Sequence, residues 1–238
     1  MIFLVVILLV VIFFAVMYWI FMSPYSQIFG SYSWKINTSD KIIALTFDDG
    51  PNEPYTSKIL DLLDKFDIKA TFFQVGKCVE RYPDITMRAF KAGHTIGNHS
   101  LSHEFHRYFL SLNFKQEILE NQVILQNHIG KKPALYRSPW LWRQPILLKT
   151  IRELGLTPIS GVFCHPFEIM QVDGKKIAGR AIKVAKPGSI IIFHDGRDSQ
   201  GGNRSETVKA VGLVIDKLRK DGYSFVTVDE LLGIPAYQ

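Results

Sequence analysis

No lysine, arginine, aspartate or glutamate occurs before Lys35 in this chain of 238 residues. Residues 1–22 are almost wholly apolar. At about 1.5 Å of rise per residue, such a run spans the roughly 30 Å hydrocarbon core of a bilayer. With no polar face to turn toward water, it does not read as a core helix of a soluble domain. It also lacks a positive leading region and an Ala-x-Ala-like cleavage site before Ser23 and Pro24, and it exceeds the apolar stretch of a typical cleaved signal. A retained transmembrane anchor over 1–22 is expected. Cysteine is scarce: Cys78 and Cys164 have no C-x-x-C spacing, which argues against a structural zinc site. They either pair or are two buried thiols, and a domain of this size builds its core without staples. Internal repeats and low-complexity tracts are missing. So is any basic block with interleaved aromatics, so the formal net charge of +6 suits an acidic polymer or an anionic membrane surface rather than nucleic acid. Nothing points to a protein partner.

Beyond the apolar run the chain divides into a linker and one domain. Residues 23–40, with Ser, Tyr, Gly, Pro and Asn, read as the linker, and 41–238 as the catalytic domain. Seven short β-rich runs, 42–47, 70–75, 94–98, 134–137, 157–163, 189–194 and 223–228, alternate with segments of helical period. Ile59, Leu62, Leu63 and Phe66 fall on one helix face, as do Ile118, Leu119, Val123, Leu125 and Ile129 on another, and Gly93, Gly130, Gly155 and Gly222 close helices. Strand-then-helix units predict an α/β fold, a distorted (β/α) barrel of about seven parallel strands preceded by the one transmembrane helix.

In such folds the loops at the carboxyl ends of the strands converge on one face. Asp48 and Asp49 end the first run, His99 follows the third, Arg137 ends the fourth and His194 with Asp195 ends the sixth. All of them fall on one rim. His99 and His103 are four apart, so a helical turn between them would aim both imidazoles at one metal ion. A carboxylate from Asp48 or Asp49 would complete a His₂-carboxylate set with a position open to water.

These residues resemble the polysaccharide deacetylases with a NodB-homology domain, carbohydrate esterase family 4, over about residues 41–232. Thr46-Phe47-Asp48-Asp49-Gly50-Pro51 resembles the family's first motif, which implies Asp48 as catalytic base and Asp49 as metal ligand. The stretch from Gly97 to His103 matches its H-[ST]-x-x-H metal motif. Arg137-Ser138-Pro139-Trp140 resembles its groove motif, which implies that Arg137 orients the base. The run from Pro187 to Gly196 resembles the stretch that presents a catalytic histidine, here His194, and the run from Gly202 to Thr207 also has a familiar look. One motif departs. Where the family has an Asp-Trp pair, this chain has Pro166 and Phe167, so His194 lacks its usual carboxylate unless Glu168 or another acid substitutes.

The resemblance implies a metal-dependent hydrolase that removes N-acetyl groups from a polysaccharide such as peptidoglycan or a chitin-like glycan. Asp49, His99 and His103 would hold a divalent ion, zinc first, with Co²⁺, Ni²⁺ or Mn²⁺ as alternatives. Trp140, Pro139 and Phe167 would meet the substrate, with the Trp140 N–H toward the oxyanion, and Trp140 and Trp142 are candidates for sugar stacking. His94, His106, His128 and His165 are left outside the site. Lys35 and Lys41, the charges nearest the helix, weakly favour a cytoplasmic domain. The implied substrates lie outside the cytoplasmic membrane and favour an extracytoplasmic one. Rival readings are an acetyl-xylan esterase, a lipid-linked sugar deformylase and a glycan-binding pseudoenzyme.

Overall fold

Helices between successive strands, at every step but the one from residue 158 to residue 162, return the chain to the start of the next strand, so the strands pair in parallel. The computed structural model describes residues 2–238; Met1, the first residue of the expected anchor, lies outside the described residues. The elements are α1 (Ile2–Met22), β1 (Ile42–Asp48), α2 (Tyr55–Lys65), β2 (Thr71–Gln74), α3 (Gly76–Arg81), α4 (Pro83–Lys91), β3 (Thr95–Asn98), α5 (Phe105–Phe109) and α6 (Phe114–Ile129). They continue as β4 (Leu135–Tyr136), α7 (Pro145–Glu153), β5 (Thr157–Pro158), β6 (Val162–Phe163), α8 (Gly174–Val184), β7 (Ile190–His194), α9 (Ser205–Lys220), β8 (Ser224–Val226) and α10 (Val228–Leu232). Short 3₁₀ turns occupy Pro139–Leu141 and Glu168–Met170.

All the strand pairings are parallel, and the sheet runs β5-β4-β3-β2-β1-β7-β6 with β8 added on β1. This is the curled β/α half-barrel that the alternation predicts. The run 157–163 divides into two strands, β5 and β6, at opposite ends of the path. The break falls at Ser160, whose N–H donates to Ser33 O at 2.8 Å and whose carbonyl accepts from Arg137 Nη2 at 2.8 Å. Those bonds take Ser160 out of any strand ladder.

Strand β1 is central, and its period of two decides what faces where. Ile43, Leu45 and Phe47 join the main core with Phe72, Ile191 and Phe193, under α2, α8 and α9. The Phe47 ring lies 5.0 Å from Phe72 and 5.9 Å from Phe193. Burying such a ring stabilises by about 1.5–3 kcal/mol. The alternate residues Ala44, Thr46 and Asp48 therefore face the other way, toward the barrel interior, where Ala44 packs with Phe73, Leu135, Ile159 and Ile190.

Helix α6 departs from its apolar reading. Ile118, Leu125 and Ile129 are buried, but Leu119 and Val123 face solvent, Val123 at 57% exposure, while Glu117, Asn121 and Gln122 are buried. The buried stripe of this helix is half polar because it carries hydrogen bonds to the site loops. On α2, Ile59 and Leu63 are buried as expected, with Leu62 and Phe66 half-buried. Gly130 ends α6 at φ +71, and Gly93, Gly155 and Gly222 likewise follow helices with positive φ. Cys78 and Cys164 are buried free thiols.

Helix α1 has 21 residues, is apolar throughout and is long enough to cross a membrane. The residues after it lie against the barrel: Ser33 bridges Ile159, Lys35 bridges Ser189 and Tyr32 is buried. Arg143 donates to the carbonyls of Ser23 and Pro24 and to Ser160 Oγ, and its own N–H reaches Phe21 O at 2.9 Å.

Candidate active site

Asp48 and His194 are register partners on the adjacent strands β1 and β7, at their carboxyl ends. Asp48 is buried. Arg137, also buried, donates from Nη1 to Asp48 Oδ1 at 2.6 Å and to Thr46 Oγ1 at 2.7 Å. Its guanidinium carbon lies 4.1 Å from the Phe73 ring centre. Burial lowers the pKa of Arg137, and the Asp48 charge opposes that shift. This charge-assisted bond fixes the Asp48 carboxylate, because the guanidinium is itself held by Thr46 and by the Ser160 carbonyl.

The next residue turns away. Asp49 has φ +73, and the loops after β1 and β7 close tightly on each other: a Cβ on Gly50 would lie 2.0 Å from Asp195 Oδ2 and one on Gly196 2.2 Å from Asp49 O. Only glycine allows that approach. It sets Asp49 Oδ1 3.2 Å from His99 Nε2 and 3.3 Å from His103 Nε2. The expected helical turn between the two histidines is not what joins them. The chain loops there, with Ser100 at φ +69 and His103 at φ +54, and polar contacts hold the loop. Asn98 Oδ1 accepts from Ser100 N, and Glu117 Oε2 accepts from Ser102 N and Oγ at 2.8 Å. Asn121 Nδ2 donates to Gln74 O at 2.9 Å and to Asn98 Oδ1 at 3.0 Å.

This cluster fits a metal ion. Asp49, His99 and His103 each offer a ligand atom, all within 4.8 Å of one another and all buried. Asp49 Oδ1 makes no hydrogen bond among the described residues. His99 Nδ1 lies 2.7 Å from Arg137 O, which can only accept, so Nδ1 carries the proton and Nε2 presents a lone pair. Asp198 Oδ1 lies 2.9 Å from His103 Nδ1, and Asp198 N donates to Asp49 Oδ2 at 3.1 Å. Burial alone would raise the Asp49 pKa, but the imidazoles that face it, His103 first and then His99 and His194, hold it well below the usual carboxylate range. Burial would lower His103, and Asp49 with Asp198 raises it instead.

Across the cleft, His194 Nδ1 lies 2.7 Å from Glu168 Oε2. Glu168 is itself buried, accepts from Thr207 Oγ1, and lies in a turn whose Ile169 carbonyl accepts from the buried Arg204 at 3.2 Å. Burial alone would lower the His194 pKa. The charge of Glu168 and the bond to it, with smaller contributions from Asp49 and Asp48, raise it to about 9. Asp195, next to it, is pushed up to about 7 by burial, against the bond from Thr56 Oγ1 at 2.6 Å.

Asp48, His99, His103, Ser138, Trp140, Leu141, Pro166, Glu168, Ile169 and His194 line one cleft. Of the expected substrate contacts, Trp140 lies there, its ring 4.4 Å from that of His103. Pro139 is buried in the turn beneath, and Phe167 stands beside the cleft at 56% exposure. Trp142 stacks on Phe21 at 5.0 Å and meets Phe109 at 4.0 Å, so it holds the end of α1. Sequence reasoning did not anticipate Asp198, the polar face of α6, His165 at the cleft, or Tyr18 and Met22 of α1 in its wall. Asp198 had only its Gly- and Ser-rich loop as a signal.

A curled parallel sheet with a desolvated carboxylate-imidazole cluster at its carboxyl edge defines an α/β protein with a candidate metal-dependent active site. The family profile of polysaccharide deacetylases matches residues 35–159. A peptidoglycan-N-acetylglucosamine deacetylase of Bacillus cereus is 36% identical over 204 residues, 85% of this chain and 93% of that one. The peptidoglycan-N-acetylmuramic acid deacetylase PdaC of Bacillus subtilis is 32% identical over 197 residues, 82% of this chain and 40% of that one. Among solved structures, the Bc1960 peptidoglycan N-acetylglucosamine deacetylase superposes with a TM-score of 0.80 at 29% identity, over 87% of this chain and 95% of that one. A family 4 acetyl xylan esterase of Clostridium thermocellum, solved with a cobalt ion, gives 0.72 at 31% identity, over 83% and 94%. The chain belongs to the polysaccharide deacetylase family, and it is a hydrolase of that kind.

Proposed function

We propose that this protein removes N-acetyl groups from an N-acetylglucosamine-containing glycan of the peptidoglycan or chitin-like type, and that α1 is retained as a membrane anchor with the domain on the extracytoplasmic side. The observation that carries the chemistry is the unbonded Asp49 Oδ1 facing the Nε2 atoms of His99 and His103. The relatives that act on peptidoglycan support the substrate class.

Asp49, His99 and His103 would hold a divalent ion, zinc by the character of the donors, and such an ion would supply Lewis acidity and a stronger water nucleophile at neutral pH. Asp48, fixed by Arg137 at 2.6 Å, accepts the proton of the attacking water. The N–H of Trp140, a residue that lines the cleft, would donate to the carbonyl oxygen that gains charge as water adds to the carbonyl carbon. His194 has Nδ1 engaged by Glu168, so Nε2 donates a proton to the nitrogen as the C–N bond breaks. The products are acetate and a free amine. A glycan-binding pseudoenzyme was motivated by Pro166 in place of the usual Asp, and Glu168 beside His194 removes that motive.

The test is acetate release by the full chain from peptidoglycan and chito-oligosaccharides, after chelation and after metal add-back. We expect activity to vanish with chelator and to return with Zn²⁺ or Co²⁺. Chelator-insensitive release would sink the mechanism.

A further inference from the structure

The wall of the cleft is not built by the barrel alone. Tyr18 and Met22, from the last turn of α1, line it together with Asp48, His99, His103 and His194. The attachment is specific. Phe21 stacks on Trp142, Ser26 Oγ donates to Ile20 O, and Arg143 draws the Phe21, Ser23 and Pro24 carbonyls onto the barrel. Tyr18 and Met22 are about 6 Å apart along the helix axis at 1.5 Å per residue. If α1 spans the bilayer, its 21 residues fill the hydrocarbon core and these two residues lie at the membrane interface, where Tyr18 and Trp19 are the aromatic side chains that favour that depth.

The ground around the cleft has the same character. An aromatic path leads from Phe21 through Trp142 and Phe109 to Phe105 and Trp140, and Trp140 touches His103. Leu110, just past α5, is 76% exposed, and Met170, beside the lining residue Ile169, is 72% exposed. Scattered exposed apolar residues need no explanation, but Tyr18 and Met22 of the apolar helix line this opening, Met170 adjoins its lining residue Ile169, and Leu110 directly follows Phe109 of the aromatic path.

We infer that the active-site opening sits on the membrane surface and that the substrate is an N-acetylated glycan attached to a lipid, taken while its sugar lies at the bilayer interface. This rests on the deacetylase reading and on insertion of α1. The lipid confines the sugar to the plane that α1 holds the cleft in, which raises its effective concentration there. A polymer free in solution gains nothing from that arrangement and must displace the apolar rim from the bilayer to enter.

The test uses the full chain reconstituted with Zn²⁺ in phosphatidylglycerol and phosphatidylethanolamine vesicles. Acetate release is measured from N-acetylglucosamine on polyprenyl diphosphate in the same vesicles and from soluble N-acetylglucosamine tetrasaccharide. We expect kcat/KM to favour the lipid-borne sugar tenfold or more, and Leu110→Glu with Met170→Glu to reduce that ratio severalfold. A preference below tenfold, or a ratio that the double variant leaves unchanged, overturns the inference while the deacetylase reading stands. Release from peptidoglycan but from neither of these substrates overturns the inference alone, and release from none of the three overturns the deacetylase reading with it.

Discussion

Glu168 Oε2 lies 2.7 Å from His194 Nδ1, although Glu168 stands two positions beyond Pro166, where the family pattern has its acidic partner. The 3₁₀ turn at Glu168–Met170 brings the longer side chain back to the same imidazole. A carboxylate here does two things: it fixes the tautomer and it stabilises the protonated ring.

The second effect can be measured. With its pKa raised to about 9, His194 is protonated throughout the neutral range and can act as an acid. Glu168→Gln removes the charge, so the alkaline limb of the pH–rate profile should move down by about 1–2 units. At neutral pH kcat should fall roughly 10- to 100-fold, with KM changing less. A bound cation lowers both absolute values, so the comparison is between variant and wild type. The linkage has the same sign. Stability from the raised His194 pKa is fully present below the unfolded value near 6.5 and is lost as pH rises through about 9. An alkaline limb unmoved in Glu168→Gln would remove Glu168 from the mechanism.

Asp48 is bound to a different prediction because its partner is a buried arginine. Asp48→Asn keeps an oxygen for Arg137 Nη1 but no longer accepts a proton, so metal content should be unchanged while kcat falls about 10²–10⁴-fold. Asp48→Ala should also unfold more readily, by about 3–5 kcal/mol, since it leaves the Arg137 charge buried and unpaired. Metal analysis, acetate release and thermal melts separate the two variants. Full activity in metal-loaded Asp48→Asn would reassign the base.

Asp49 should report on the metal directly. A ligand that binds only the folded protein adds about 2.7 kcal/mol of stability at one hundred times its Kd. Zn²⁺ added to chelator-treated wild type should therefore raise Tm by several degrees, and Asp49→Ala should show little of that rise. Calorimetry with and without Zn²⁺ is the check, and an equal Tm rise in Asp49→Ala would exclude Asp49 as a ligand.

The six polar residues Asp48, Asp49, His99, His103, Arg137 and His194 were legible because each ends or follows a β-rich run, and parallel strands deliver such positions to one rim. The barrel class was legible for the same reason. What could not be read is how the loops bend. The His99–His103 spacing suggested a helix, but Ser100 and His103 adopt positive φ held by side chains from α6. Helix α6 was misread because periodicity assigns the buried face to apolar residues, whereas its buried face serves neighbouring backbone. The role of α1 as cleft wall depends on Arg143 and Trp142, distant in sequence, and no local pattern encodes it.

That polar face of α6 carries the last prediction. Asn121 donates to Gln74 O and Asn98 Oδ1, and Asn98 Oδ1 in turn accepts from Ser100 N in the loop between the two histidines. Asn121→Leu nearly conserves volume but leaves the Gln74 carbonyl without this donor, at a cost of about 1–3 kcal/mol. If the bonds only supported the core, metal affinity would survive that loss in the protein that remains folded. If they hold the ligand loop, Zn²⁺ affinity should also drop, by roughly 10- to 100-fold. Competition with a chromogenic chelator at a temperature well below the variant's melt reads the affinity apart from the stability. Unchanged affinity alongside a lower Tm would confine Asn121 to the core.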